Sequence, residues 1–353
     1  MKKTWFYGLL AASFILSGAA HYMAWPVLAQ FLLACLAVLF AAGFLGKATE
    51  SVAHYAGERI GGFLNGTFGN AAELIIALIL LNQAVHGSPR LFEMIKASLT
   101  GSIIGNLLLV LGLSALAGGI KFKTQRYNIQ AANHSASLMS LAVIALFIPA
   151  IFQQGLPARD MGTFSLVVGI VLIIAYILWL IFSMITHKNE LSDEAIEEGE
   201  ALWPKGRSVL YLVIATVMVA FVSEWLVGTL EPIAHQLGLS ELFIGAFVVA
   251  IVGNAAEHSA AVMLALKNRI GASVEIAVGS SLQIALFVAP VLVIVSFFMG
   301  HTMDFVFSIF ELAAIAVAVV ITKSIITDGL TNWYEGVLLV TVYVILGVAF
   351  YLV

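Results

Sequence analysis

The pentapeptide Gly-Asn-Ala-Ala-Glu occurs twice, at Gly69 to Glu73 and at Gly253 to Glu257, each time inside a long apolar run. A carboxylate at bilayer depth costs about 2.5–3.5 kcal/mol on insertion scales. Two such glutamates in identical pentapeptides point to a duplicated fold with one site between its halves. The setting is a membrane: of 353 residues, 61% are hydrophobic and 10% charged, and the mean hydropathy is +1.05. A soluble domain does not carry that balance. The net charge of -4 and the absence of a basic tract argue against a nucleic-acid partner. Cys35 is the one cysteine, so no intramolecular disulfide and no C-x-x-C metal pattern exists.

Eleven apolar segments are read near 5–20, 25–46, 62–83, 97–120, 129–152, 161–186, 208–230, 241–266, 274–299, 303–323 and 332–352. Each approaches the length a helix needs to cross ~30 Å of hydrocarbon. The fold class expected is all-α polytopic, with eleven transmembrane helices. Lys2 and Lys3 followed by a short apolar stretch and Ser17-Gly18-Ala19-Ala20 also fit a secretory signal, but the first segment is read as an uncleaved span. With the N-terminus inside, inner segments hold Lys2, Lys3, Lys47, Arg59, Lys121, Lys123, Arg126, Lys188, Lys205, Arg207, Lys267, Arg269 and Lys323. The outer loops hold Arg90 and Arg159, with Lys96 left aside at a span entry. This follows the positive-inside rule. The expectation is an integral protein of the plasma (inner) membrane, N-terminus cytoplasmic and C-terminus outside.

A polar stretch, His187 to Arg207, splits the chain. Glu190, Asp193, Glu194, Glu197, Glu198 and Glu200 make it acidic, either as a solvated linker helix or as a cation-attracting segment. The division is then 1–23 (N-terminal helix), 24–186 (first five-helix repeat), 187–207 (acidic connector) and 208–353 (second repeat). Five is odd, so the second block enters from the other side: an inverted 5+5 repeat, the plan of many secondary transporters. Glu50 in Ala-Thr-Glu answers Glu224 in Val-Ser-Glu. Gly101-Ser102-Ile103-Ile104-Gly105-Asn106 answers Gly279-Ser280-Ser281-Leu282-Gln283.

Asn70 and Glu73 are three apart and share a helical face, as do Asn254 and Glu257. Gly69 and Gly253 permit close approach or a local break that frees carbonyls. Ser102, Asn106, Ser280, Ser281 and Gln283 offer neutral oxygens. An oxygen-rich set with two carboxylates and no thiolate suits calcium better than zinc or copper, which favour Cys and His. His134 and His258 are read as packing or interfacial residues, since His258 points about 100° away from Glu257. Two facing carboxylates in a low dielectric need neutralising, by one divalent cation or by two protons. A carrier that crosses only when neutralised exchanges one for the other. The alternative for the two glutamates is a protonated pair that glues helices. For Glu50 and Glu224 the alternatives are gating and a simple interfacial position.

The stretches 46–50, 61–76 and 253–258 resemble the two α-repeats of the calcium/proton antiporter (CAX) family, and 279–287 and 328–336 are similar as well. The resemblance covers nearly the whole chain. It implies exchange of cytosolic calcium for external protons by alternating access, with calcium as transported substrate and no cofactor. It implies Glu73 and Glu257 as central ligands, Asn70 and Asn254 beside them, and Glu50 and Glu224 controlling access at the ends of sliding gating helices. The short N-terminus implies transport without a regulatory tail. Partners are then calcium, protons and the lipid bilayer; a homo-oligomer is compatible with it. The competing readings are a sodium/calcium exchanger of the same superfamily and, from another class, a cation channel. Sodium sites usually add Ser/Thr hydroxyls beside the acids, where this chain has Ala-Ala. No H-E-x-x-H, G-x-S-x-G or phosphate loop supports an enzyme.

Overall fold

The computed structural model describes residues 3–187 and 202–353. The acidic run from Glu190 to Glu200 lies outside the described residues. The rest is built almost wholly of long helices. They are α1 Lys3–Tyr22, α2 Val27–Phe68, α3 Ala71–His86, α4 Leu91–Phe122, α5 Ile129–Phe152, α6 Ala158–Ile181, α7 Lys205–Leu237, α8 Glu241–Ala265, α9 Ile270–Phe298, α10 Ile309–Ile326 and α11 Trp333–Leu352. Among the described residues, nine candidate spans are long and apolar enough to cross a membrane, and Ala71–His86 is a shorter apolar helix.

Local sequence explains where most helices start. The Asn128 side chain accepts from the Gln130 and Ala131 amides at α5, and Ser240 from the Phe243 amide at α8. Ser308 with Glu311, and Asn332 with Glu335, form capping boxes at α10 and α11. Pro157 and Pro204 directly precede α6 and α7, where a missing amide costs nothing.

The helix ends are gathered at two faces. Thr124–Arg126 pairs antiparallel with Leu330–Asn332. Lys121 Nζ donates to Leu266 O at 2.8 Å, and Gln125 Nε2 to Ala265 O at 3.0 Å. Tyr55 donates to Trp203 O at 3.0 Å, and Ser51 and Ser208 share a bond of 2.8 Å. These loops and helix ends form one face, called here the connector face. On the opposite face lie the turns near 87–90 and 238–240 and the segment 299–308.

Two helices occupy the middle. Windows in α4 and α9 are 72% and 61% buried, against 22% for α6 and α11. Helices apolar all round belong in such a centre, with the others around them facing lipid. Both central helices carry a π-helical stretch, Gly105–Val110 in α4 and Ile284–Val288 in α9, and α8 carries one at Ile244–Val249. The first follows Ser102 and contains Asn106, and the second directly follows Gln283. Such π segments often mark functional sites.

Three sequence expectations change. The segments 25–46 and 62–83 are not separated by a loop: α2 runs 42 residues, about 63 Å at 1.5 Å per residue. Residues 47–68 contain no proline, and the break comes only at Gly69 and Asn70. The third segment of the first block, read from 97, starts at Leu91. The segment 303–323 is helical only from Ile309. Before it, residues 302–308 form a non-helical strap in which Met303, Phe305 and Phe307 are buried. The alternation Met-Asp-Phe-Val-Phe is a strand-like period of two. The Phe305 amide donates to Ser165 Oγ at 3.0 Å and the Met303 amide to Ser296 Oγ at 2.8 Å.

Lys96 holds this strap. It is only 4% exposed, and its ammonium reaches Val306 O at 2.8 Å, Glu93 at 2.7 Å and Asp304 at 3.4 Å. All three donors are used. Lys96→Met keeps the stem and removes the donor, leaving Val306 O without its partner at a cost of about 1–3 kcal/mol. The expected result is a lower melting temperature and faster amide exchange confined to 302–308. Unchanged exchange there means that the strap does not depend on Lys96.

Candidate ion-binding site

Asn70 and Gly69 interrupt the path from α2 into α3, which places Glu73 in the first turn of α3. The positive end of a helix dipole favours a carboxylate there. Asn70 occupies the N-cap position without capping the helix. Its amide instead crosses to α9, donating to Gln283 Oε1 at 2.7 Å and toward Ser280 O at 3.4 Å.

In α8 the matching pentapeptide lies inside a continuous helix. The break allowed for at both glycines therefore occurs at Gly69 and not at Gly253. Gly253 serves close approach: a Cβ there would lie 3.2 Å from Glu73 Cγ. The helix thus leaves room for the glutamate of the other block. Asn254 donates to Glu73 Oε1, to Ser102 Oγ at 3.1 Å and to Ala250 O at 3.1 Å. Ser102 donates to the same Glu73 oxygen at 2.5 Å. Glu257 accepts from Ser280 Oγ at 2.7 Å.

The pattern is crossed. Each asparagine bonds a group from the other block, and each serine bonds the glutamate of its own block. Four helices, α3, α4, α8 and α9, supply Asn70, Glu73, Ser102, Asn254, Glu257, Ser280 and Gln283 to one cluster. Asn106, one turn beyond Ser102, is 1% exposed. Both its amide atoms, Glu73 Oε2 and Asn70 Oδ1 are buried with no hydrogen-bond partner among the described residues. Free oxygens in a buried polar cluster ask for a partner. The oxygens here are the kind a hard cation takes. Among the described residues no group of three or more His, Cys, Asp or Glu side chains forms a metal cluster, so a cation at this place would combine carboxylate with amide and hydroxyl oxygen.

Several sequence candidates fall outside the cluster. Glu50 and Glu224 are exposed and make none of the hydrogen bonds above. The Ser281 hydroxyl bonds Ala277 O at 2.9 Å in its own helix, the usual use of a buried helical serine. His134 is exposed and its ring lies 5.6 Å from Phe182. Sequence reasoning set Lys96 aside, and nothing in the motif pattern linked it to a strap 208 residues away.

A family model described as sodium/calcium exchanger protein matches residues 26–185 and 207–352. The chain belongs to that family. Among similar family members is the Ca(2+)/H(+) antiporter ChaA of Bacillus subtilis (strain 168), 44% identical over 352 residues that cover 98% of this chain and 99% of the relative. The Ca(2+)/H(+) antiporter of Aphanothece halophytica is also 44% identical, over 99% of this chain and 97% of its own. The solved structure of native YfkE superposes with a TM-score of 0.85 at 42% identity, covering 99% of this chain and all of the other. The sodium-calcium exchanger NCX_Mj, at 20% identity and a TM-score of 0.55 over 90% of this chain and 96% of its own, shares the fold.

The crossed amides give a stability prediction that needs no ligand. Asn70→Ala and Gln283→Ala remove two ends of one part-buried bond. Their combined effect should fall short of the sum of the single effects by about 0.5–3 kcal/mol. Asn70→Ala combined with Ser259→Ala, an exposed site on α8, should be additive. Thermal unfolding in detergent measures both cycles, and additivity in the first removes the Asn70–Gln283 coupling.

Proposed function

We propose that this protein exchanges calcium for protons across the membrane by alternating access. The reading is carried by one observation: the two matching pentapeptides meet in a single polar cluster, in which Asn70 bonds Gln283 of the other block and Asn254 bonds Glu73 of the other block. The relatives named Ca(2+)/H(+) antiporter, similar along nearly the full chain, support calcium and protons as the exchanged ions. Two separate matches to the family model support the inverted 5+5 repeat, with α1 outside it and eleven helices crossing. The charge distribution supports an inward connector face, a cytoplasmic N-terminus and an outward C-terminus. Outward movement of calcium follows where the proton gradient is directed inward.

In this reading Glu73 and Glu257 alternate between calcium and protons. Glu73 Oε2, Asn70 Oδ1 and Asn106 Oδ1 take part of the calcium shell, and Asn254 positions the Glu73 carboxylate. Ser102 and Ser280 each hold one carboxylate oxygen, leaving the other for the ion. When calcium leaves, two protons restore neutrality and permit the return step, so neither ion crosses alone. Glu50 and Glu224, exposed on the long helices α2 and α7, act on entry rather than on binding. No cofactor and no bond-making chemistry is required.

The second reading is sodium coupling, which the family model's description favours. The residues beside both glutamates argue the other way: Ala71, Ala72, Ala255 and Ala256 add no hydroxyl ligand.

Purified protein in liposomes separates these readings. Calcium flux should follow an imposed pH gradient and ignore a sodium gradient. Glu73→Gln and Glu257→Gln should each abolish flux, because an amide cannot carry the exchanged proton. Glu50→Gln and Glu224→Gln should keep calcium affinity and slow turnover. Full activity in a folded Glu73→Gln or Glu257→Gln protein overturns the site. Flux driven by sodium alone overturns proton coupling, and gradient-independent leak indicates a channel.

A further inference from the structure

Five cations converge at one corner of the connector face. Lys121 and Lys123 lie at the end of α4, Arg126 closes the first strand of the ribbon, and Lys267 and Arg269 lie in the turn from α8 to α9; all five are exposed. Close contacts hold these segments together. Lys121 Nζ donates to Leu266 O at 2.8 Å, Gln125 Nε2 donates to Asn268 Oδ1 at 3.0 Å, and a Cβ on Gly119 would lie 2.2 Å from the Trp333 amide nitrogen. The start of α11 therefore completes the corner. The segments 121–126, 266–269 and 328–335 carry two acids, Asp328 and Glu335. Each already accepts from a backbone amide: Asp328 Oδ1 from Leu330 at 2.9 Å and Glu335 Oε2 from Asn332 at 3.1 Å. A local excess of positive charge thus stands on a chain whose net charge is -4.

Two features set this corner apart from an ordinary solvated basic face. Its depth is one. Ile120, Trp333 and Tyr334 are exposed around it, and exposed Trp and Tyr at helix ends belong at the headgroup level of a bilayer. The other is backbone strain. Lys123 has φ 67° and ψ -66°, a conformation in which a Cβ is costly and glycine is not. Its amide donates to Gly119 O at 2.8 Å, closing α4 just before the ribbon begins. A lysine where the backbone suits glycine lowers stability, and its ammonium is the part of the residue that can recover the loss.

We propose that this corner binds the headgroup of an anionic phospholipid. The lipid phosphate accepts from Lys123, from Arg269, whose planar fork suits it, and from the Lys121 donors that Leu266 O leaves over. Arg126 and Lys267 at the rim add to the attraction for negative lipid. The acyl chains run past Ile120 and the Trp333–Tyr334 pair, an apolar partner that free phosphate cannot use. Bound in this way, one lipid joins the ends of α4 and α8 to the starts of α9 and α11. Three of these helices supply the polar cluster. The inference depends neither on which ions are exchanged nor on which side of the membrane the connector face meets.

Thermal unfolding of the purified full chain in neutral detergent, with added dioleoyl phosphatidylglycerol or dioleoyl phosphatidylcholine, tests this. The expected result is a rise in melting temperature with phosphatidylglycerol that phosphatidylcholine does not match and that shrinks in high salt. Lys123→Gln combined with Arg269→Gln should move the phosphatidylglycerol titration to higher lipid by about fivefold for each cation removed. Lys205→Gln combined with Arg207→Gln removes the same charge at the start of α7 and should leave the titration in place. Lys123→Gly separates lipid binding from a merely structural role. Without lipid it should unfold at or above the parent temperature, because glycine relieves the strain, and with phosphatidylglycerol it should gain less than the parent. Equal responses to the two lipids, equal losses in the two double variants, or a Lys123→Gly protein that gains as much as the parent overturns the proposal. So does inorganic phosphate that reproduces the rise, which makes the corner a plain anion site, and so does a rise that follows protein concentration instead of lipid, which assigns the face to a second copy of the chain.

Discussion

A carboxylate inside a bilayer has to be met by charge or by hydrogen bonds, and the arrangement of this protein follows from meeting two of them at once. Glu73 has a serine and an asparagine on one oxygen and the start of a helix behind it. Glu257 has a serine. Such partners hold a carboxylate in place, but neutral donors cannot replace the counter-charge that water and ions supply outside. The centre of the bundle therefore has to be polar where the bundle is deepest. The two most buried helices, α4 and α9, each carry a π turn after their serines, and α8 carries one before its pentapeptide. An α-helix bonds its own amides and carbonyls to one another; a π segment widens the backbone and turns neighbouring side chains toward the site.

The crossing of partners has a further consequence. Asn254 holds the glutamate of the other block, and Asn70 is held by a glutamine of the other block. Neither half contains a complete set of donors. The free energy of the cluster consequently depends on how the halves are placed, and any rearrangement of the halves changes the cluster. This is the condition for coupling: an ion shifts a conformational equilibrium only as far as its contacts differ between the two states. A site assembled from one repeat would bind equally well in both arrangements and would drive nothing.

Much of this was legible from the residues, for definite reasons. Apolar periodicity gave 129–152 and 241–266 closely, because Asn128 and Ser240 cap those helices at a clear polar boundary. The residues that meet in the polar cluster were legible because acids and amides are costly in an apolar run and recur with the repeat. The continuation of α2 to Phe68 was not, since a stretch of polar residues reads as a loop unless something stops the helix, and here nothing does until Gly69. The strap at 302–308 was hidden for the converse reason. Its phenylalanines add to an apolar run, and hydropathy does not distinguish a period of two from a helical face in so short a piece. Lys96 was missed because its partners come from that strap. The close approach of α4 and α8, where a Cβ on Gly245 would lie 2.6 Å from Met94 O, depends on the distance between two backbones, which no local pattern encodes.

The two pentapeptides are identical, yet one begins a helix and the other lies inside one. Identical residues cannot cause the difference, so its cause lies in what precedes them. Before Gly253, the π segment and Phe247 pack against Tyr343 and Phe350 of α11, with ring centroids 5.3 and 5.7 Å apart, and Gly245 rests on α4. That docking carries the helix straight through the motif. Before Gly69, the chain follows α2, and the motif must absorb the change of direction. The same pentapeptide thus supports both geometries, a helix start in one block and a helix interior in the other. Asn and Gly at the first two positions suit this double use: both tolerate a helix interior at moderate cost and both accommodate a break. A pair of strong helix formers there would favour the continuous form in both halves and remove the asymmetry between the two copies of the motif.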